Sequence, residues 1–123
     1  MRLLKPRWIT VEVANSDAKV IDGVWGGDGG LRSVTQYRVP AQIEIDPIHE
    51  YNKLNQIVKS YAGKLVIRIA GSEWMPHLGD RIIEANNQSV DWYVEKVTVN
   101  EAGGYAMIYY QDRALRQGVV NAG

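Results

Sequence analysis

The sequence predicts a small, mainly β domain: five to six strands closing into a barrel, with one helical or loop insertion over about residues 47–63. Three observations carry this. Apolar residues recur with period two along most of the chain, the one change of period falls between Asp46 and Gly63, and glycine- or asparagine-containing turns separate the alternating runs. A chain of 123 residues suits a single domain, 1–123. Without an internal repeat to stack, short strands avoid open edges by closing on themselves.

In RWITVEVA, Ile9, Val11 and Val13 point one way and Trp8, Thr10 and Glu12 the other, the pattern of a strand with one apolar face. AKVIDGVW then runs into GGDGGLRS, where five glycines between Gly23 and Gly30 end any regular element. Trp25, beside that turn, either folds back on the core or anchors a protein contact. VTQYRVPAQIEI alternates again, with Tyr37, Val39, Ala41, Ile43 and Ile45 on one face. Pro40 cannot donate to a ladder, which puts this strand at a sheet edge or bulges it there.

DPIHEYNKLNQIVKSYAG changes period. Asp46 is a capping residue, Pro47 suits a first helical position, and Ile48, Tyr51, Leu54 or Asn55, and Val58 recur at three to four residues until Gly63. The spacing predicts a helix or a partly helical loop. KLVIRIA (64–70) is a strand, GSEWMPHLGD a long loop holding Trp74, and RIIEA a strand entered from Gly79-Asp80 and ended at Asn86-Asn87. WYVEKVTVN and YAMIYYQDR form a hairpin through Glu101–Gly104. Residues 115–123, with Leu115 and Val119, read as a flexible tail that is either frayed or ordered only against a partner.

Composition excludes several functions. Fourteen basic and fourteen acidic residues cancel, so the chain as a whole offers no attraction to nucleic acid or anionic lipid. With no cysteine there is no disulfide, thiolate metal site or thiol nucleophile, which fits a reducing cytoplasm. His49 and His77 stand in no metal-ligand spacing. Glu44 and Asp46 alternate as any solvated pair does, AGSEW lacks the nucleophile-elbow glycines, and GVWGGDGG lacks the phosphate-cradling arrangements. No catalytic residue, cofactor or metal ligand is therefore assigned, and the chain reads as a binding protein, not an enzyme. No apolar run reaches membrane-span length, so a soluble protein without membrane contact is expected. Seven tyrosines and four tryptophans with no phenylalanine suit surfaces that contact other proteins.

Two resemblances follow from quoted motifs. GDRIIEANNQSV reads locally like the end of a PDZ domain, which makes a peptide-binding module, with a short helix after this stretch, the alternative function. Taken in order, ITVEV, DGVWGGDGG, YRVPAQIEI, PIHEYNKLNQ, LVIRI, GDRI and the closing hairpin resemble a tailed-bacteriophage head-tail connector protein of the stopper or head-completion family. Ala41 and Ile43 match the run before that family's insertion, Pro47, Glu50, Tyr51 and Lys53 the segment after it, and Gly79–Ile82, Tyr93, Val94 and Val97 its closing hairpin. The turn is longer here, NNQSVDWYV, and GSEWMPHL carries an additional tryptophan.

The resemblance implies a Src-homology-like β-barrel made in the bacterial cytoplasm and built into the virion as a homo-oligomeric ring. Its partners would be the portal or adaptor above and the tail terminator or tail tube below, with passing contact to packaged DNA. It implies a channel-gating loop at His49, Glu50, Tyr51, Asn52, Lys53, Leu54, Asn55 and Gln56. Trp25, Trp74, Leu115 and Val119 are the candidate protein-contact residues. A tail terminator or minor capsid protein is a related expectation.

Overall fold

A computed structural model describes residues 3, 5–14 and 34–114. The strands are β1 (Arg7–Ala14), β2 (Val34–Glu44), β3 (Ile48–Tyr51), β4 (Ile57–Tyr61), β5 (Gly63–Arg68), β6 (Arg81–Ala85), β7 (Gln88–Asn100) and β8 (Tyr105–Asp112). Six of them close into an antiparallel barrel in the order β1-β2-β5-β8-β7-β6, while β3 and β4 form a separate two-stranded sheet. The predicted small β-barrel is present.

The alternating faces of β1, β2 and β5 point inward as their patterns predict, whereas in β7 the alternation that would set Val94 and Val97 on opposite faces is broken by a register shift after Val94, and both pack on the core. Ile9 and Val11 of β1, Val39 and Ala41 of β2, Leu65 and Ile67 of β5, Ile82 of β6, Val94 of β7 and Ile108 and Tyr110 of β8 fill the barrel, with Tyr37, Ile43 and Val97 packed against them. Ile45, assigned to the same face, lies beyond the end of β2 and is exposed. Full burial of each aliphatic side chain stabilises by about 1.5–3 kcal/mol, and each of the six barrel strands contributes at least one such group. Register shifts at Thr10/Val11, Ile82/Glu84 and Val94/Lys96 bend the strands so that six can close.

Turn residues act where backbone conformation demands them. Asn86 and Asn87, with φ of 52° and 66°, make the two-residue connection from β6 to β7, a geometry that needs both central residues left-handed. Glu101–Gly104 joins β7 to β8, with Gly104 at φ 74°.

Pro40 shows how one residue shapes a barrel. β2 pairs with β1 over Val34–Ala41 but with β5 only over Gln42–Glu44. The β2–β5 ladder stops short of Pro40, whose ring nitrogen carries no hydrogen to extend it. The expected sheet edge or bulge at Pro40 is therefore not found: β2 is internal to the closed sheet and runs without a register shift, and it is only locally one-sided at its proline.

The reading of the insertion is corrected. Residues 47–63 contain no helix: they form a β-hairpin, β3–β4, leading directly into β5. Asp46 and Pro47 start no helix because Asn52 and Asn55 turn the chain back after four residues of β3, and Ile57 and Val58 are β-branched residues suited to a strand. After GDRIIEA and the Asn86-Asn87 turn the chain continues into the thirteen-residue β7, the strand that the alternation of WYVEKVTVN predicts.

Candidate functional site

The hairpin begins at its loop. Asn52 N–H donates to the Gln56 carbonyl at 3.0 Å and Asn55 N–H to the Asn52 carbonyl at 3.0 Å, while Asn55 takes φ 62°. A turn followed by a left-handed residue makes a three-residue hairpin loop, and asparagine tolerates that conformation better than most residues. The Asn52 side chain reinforces it, its Oδ1 accepting from Leu54 N–H at 2.8 Å and Gln56 N–H at 3.1 Å. A register shift between Glu50 and Tyr51 completes the twist.

The hairpin's polar side chains turn toward the barrel. Glu50 on β3 and Lys59 on β4 are cross-strand partners, and each meets a charge on β7: Glu50 pairs with Lys96, and Lys59 with Glu95. Tyr61, buried at the hairpin base, lies against Tyr109 of β8 with ring centroids 5.2 Å apart. The Lys59 and Lys96 ammonium groups sit 5.9 and 5.3 Å from the Tyr61 and Tyr109 centroids, within cation–π range. Gln111 Nε2 donates to the Ser60 carbonyl at 2.5 Å, and Ala62 N–H to the Tyr110 carbonyl at 2.8 Å.

Electrostatics follow from this pairing. The hydrogen bond from Lys96 holds the Glu50 carboxyl below its ordinary range. The bonds to Glu95 and Glu50 hold the Lys59 and Lys96 ammonium groups above theirs. Burial pushes the Tyr61 phenol up.

Four apolar side chains toward the hairpin tip are exposed. Leu54 at the loop is 75 % exposed, and Tyr51, Ile57 and Val58 are each more than half exposed. A two-stranded sheet is marginal in water by itself, and this one leaves four apolar side chains in solvent while resting on the barrel.

Of the residues assigned to the insertion, all eight from His49 to Gln56 fall on β3 or the hairpin loop. His49 is exposed, its Nδ1 2.7 Å from Ser60 Oγ across the sheet. Glu50 faces the barrel, and Tyr51 and Leu54 face solvent. Sequence reasoning missed Ile57, Val58, Lys59, Glu95 and Lys96. The adjacent β-branched pair Ile57-Val58 after two asparagines was the available signal for a returning strand.

Trp74 is not a contact residue here. It is 1 % exposed, and its Nε1–H donates to Asp80 Oδ2 at 2.9 Å. Asp80 also accepts from His77 N–H at 2.9 Å, which ties the 71–80 loop over the barrel end. An aromatic ring with one polar group buries well when that group finds an acceptor, and Asp80 supplies it. Trp25, Leu115 and Val119 lie outside the described residues. Among the described residues no cluster of three or more His, Asp or Glu side chains is placed to hold a metal ion.

No protein-family model, curated protein or solved structure matches the chain, so a functional reading rests on its own geometry and motifs.

Proposed function

We propose that this chain is a head-tail connector protein of a tailed bacteriophage, of the stopper or head-completion class, and that the β3–β4 hairpin is its working element. One observation carries the reading: a hairpin appended to a complete barrel grips that barrel through charges while presenting Tyr51, Leu54, Ile57 and Val58 to solvent. In a ring below the portal or adaptor, hairpins from successive subunits would meet across the channel, bury these side chains against one another and hold packaged DNA in. The opposite face of the ring would dock the tail terminator or tail tube.

Magnitudes favour a ring that forms only on its partners. Burying the exposed halves of four such side chains contributes about 3–6 kcal/mol per contact. Association costs about 4–15 kcal/mol in lost translational and rotational freedom. The isolated chain should therefore sediment mainly as a 13.8 kDa monomer. A ring stable at micromolar concentration without partners would contradict this.

The deciding experiment replaces residues 49–60 with a short Gly-Ser turn and keeps Tyr61. None of the core cluster comes from the hairpin strands, so the barrel should fold. Particles carrying the variant should fill and then lose DNA, and Leu54→Ser should give a milder leak. Heads that keep normal DNA content with the shortened chain would rule out the hairpin as a channel closure.

A further inference from the structure

A second surface lies away from the hairpin. Continuing the β2–β5 register past Gln42↔Val66 would set Pro40 opposite Arg68, but the ladder ends before that point. A cleft of about 400 Å³ opens there, lined by Trp8 of β1, Arg38 and Pro40 of β2, Arg68 at the end of β5, and the turn to Glu73.

Its chemistry differs from that of the rest of the chain. Trp8 is 50 % exposed, and the Arg38 guanidinium lies 5.0 Å from its ring centroid. Arg38 and Arg68 are both exposed, and neither joins any of the four ion pairs among the described residues. Glu73 is the one carboxylate lining the cleft, so two guanidinium groups face one acid. A chain of zero net charge thus keeps a local excess of positive charge beside an exposed indole.

We propose that this cleft binds single-stranded nucleic acid, with Arg38 and Arg68 holding phosphates and Trp8 stacking on a base. Guanidinium forks match phosphate oxygens in pairs of hydrogen bonds. The exposed indole favours nucleic acid over an acidic peptide: every base offers a π-face to stack on, whereas Asp and Glu side chains offer none. A duplex keeps its bases stacked on one another, so the aromatic contribution selects single strands. Pro40 supports the assignment by denying the cleft a backbone donor with which an added β-strand would pair. This surface is not used in the connector reading, so either proposal can fail without the other.

The test is fluorescence anisotropy of a labelled short oligothymidylate titrated with the full chain at several salt concentrations. Two phosphate contacts predict a slope of about −1.4 for log affinity against log salt, at about −0.7 per phosphate of a single strand. Removing both arginines, Arg38→Ala with Arg68→Ala, should weaken binding by about tenfold or more at low salt and flatten the slope. Trp8→Leu should weaken binding with the slope retained, because stacking releases no counterions. Glu73→Gln should tighten it by removing the opposing charge, and this variant tests the site even if Trp8→Leu disturbs the fold. Absence of binding up to millimolar protein, or a salt slope indifferent to the arginines, would overturn the proposal. Competition by poly-glutamate as effective as by unlabelled oligothymidylate would also overturn it and mark a surface for acidic peptides.

Discussion

Glu95 and Lys96 are consecutive in the chain, yet both side chains leave β7 toward the hairpin, Glu95 to Lys59 on β4 and Lys96 to Glu50 on β3. A regular strand sends neighbours to opposite faces. The register shift between Val94 and Lys96 breaks that alternation for one residue, so that two opposite charges stand side by side on the outer surface. They meet the cross-strand pair Glu50 and Lys59, whose order of charge is complementary. Exposed ion pairs contribute little individually, so this charge latch acts together with the packing of Tyr61 on Tyr109 at the hairpin base.

That latch has a pH window. Glu50 has a lowered pKa, so its contribution is present above the ordinary carboxylate range, about 4.3, and is lost as pH falls through the lower folded value. Lys59 and Lys96 are raised, so theirs is present below about 10.4 and is lost as pH climbs through the higher folded values. Amide exchange over residues 48–60 should therefore be slowest near neutral pH after correction for the intrinsic rate. It should speed up below about pH 4 and in high salt, while β5 stays protected. Equal protection of hairpin and β5 under all these conditions would show that packing, not charge, holds the hairpin.

The loop depends on its two asparagines differently. Asn55→Gly should be tolerated, since glycine adopts φ 62° freely, whereas Asn55→Val should cost the hairpin about 1–2 kcal/mol. Asn52→Ala removes an acceptor for two backbone N–H groups and should cost about 1 kcal/mol. Cross-strand nuclear Overhauser effects between Glu50 and Lys59 report the result directly. Their persistence at full strength in Asn55→Val would contradict the left-handed assignment.

Trp74→Phe should destabilise the whole barrel by about 1–3 kcal/mol, because Asp80 loses the indole donor and stays buried. Thermal unfolding followed by circular dichroism measures it. A variant with unchanged Tm would return Trp74 to the list of contact residues.

Gly63, where the hairpin enters β5, should reject a side chain. A Cβ there would lie 2.3 Å from both the Glu44 carbonyl oxygen and the Tyr110 hydroxyl, and the first of these is backbone. The Tyr110 hydroxyl donates to that same carbonyl at 3.2 Å, while its ring stacks on Trp92 at 4.1 Å between centroids and cannot easily retreat. Gly63→Ala should therefore lower stability by about 1–3 kcal/mol in urea titration. A neutral result would mean that β2 and β5 can separate at this point.

Local features were legible in the sequence because they answer to local physics. The alternation of Ile9, Val11 and Val13 marked a strand and its buried face, Gly79 and Asn86-Asn87 marked turns that demand positive φ, and Pro40 marked the place where a ladder stops. The insertion misled because the spacing of Ile48, Tyr51, Leu54 and Val58 suits one face of a helix equally well. A three-residue loop with a shifted register also returns apolar residues at intervals of three and four, so periodicity alone does not separate the two. Only tertiary structure decided between them, by bringing Lys96 and Glu95 to Glu50 and Lys59 across 46 and 36 residues of sequence. The same holds for Trp74: its indole is a core group because the fold places Asp80 within hydrogen-bond reach, a pairing that no residue spacing announces. Outside the insertion, the pattern of residues was enough to mark the strands and most of the faces they bury, because steric and hydrophobic demands act over a few residues. What the hairpin grips, and what it leaves exposed, was decided by contacts that exist only once the barrel has closed.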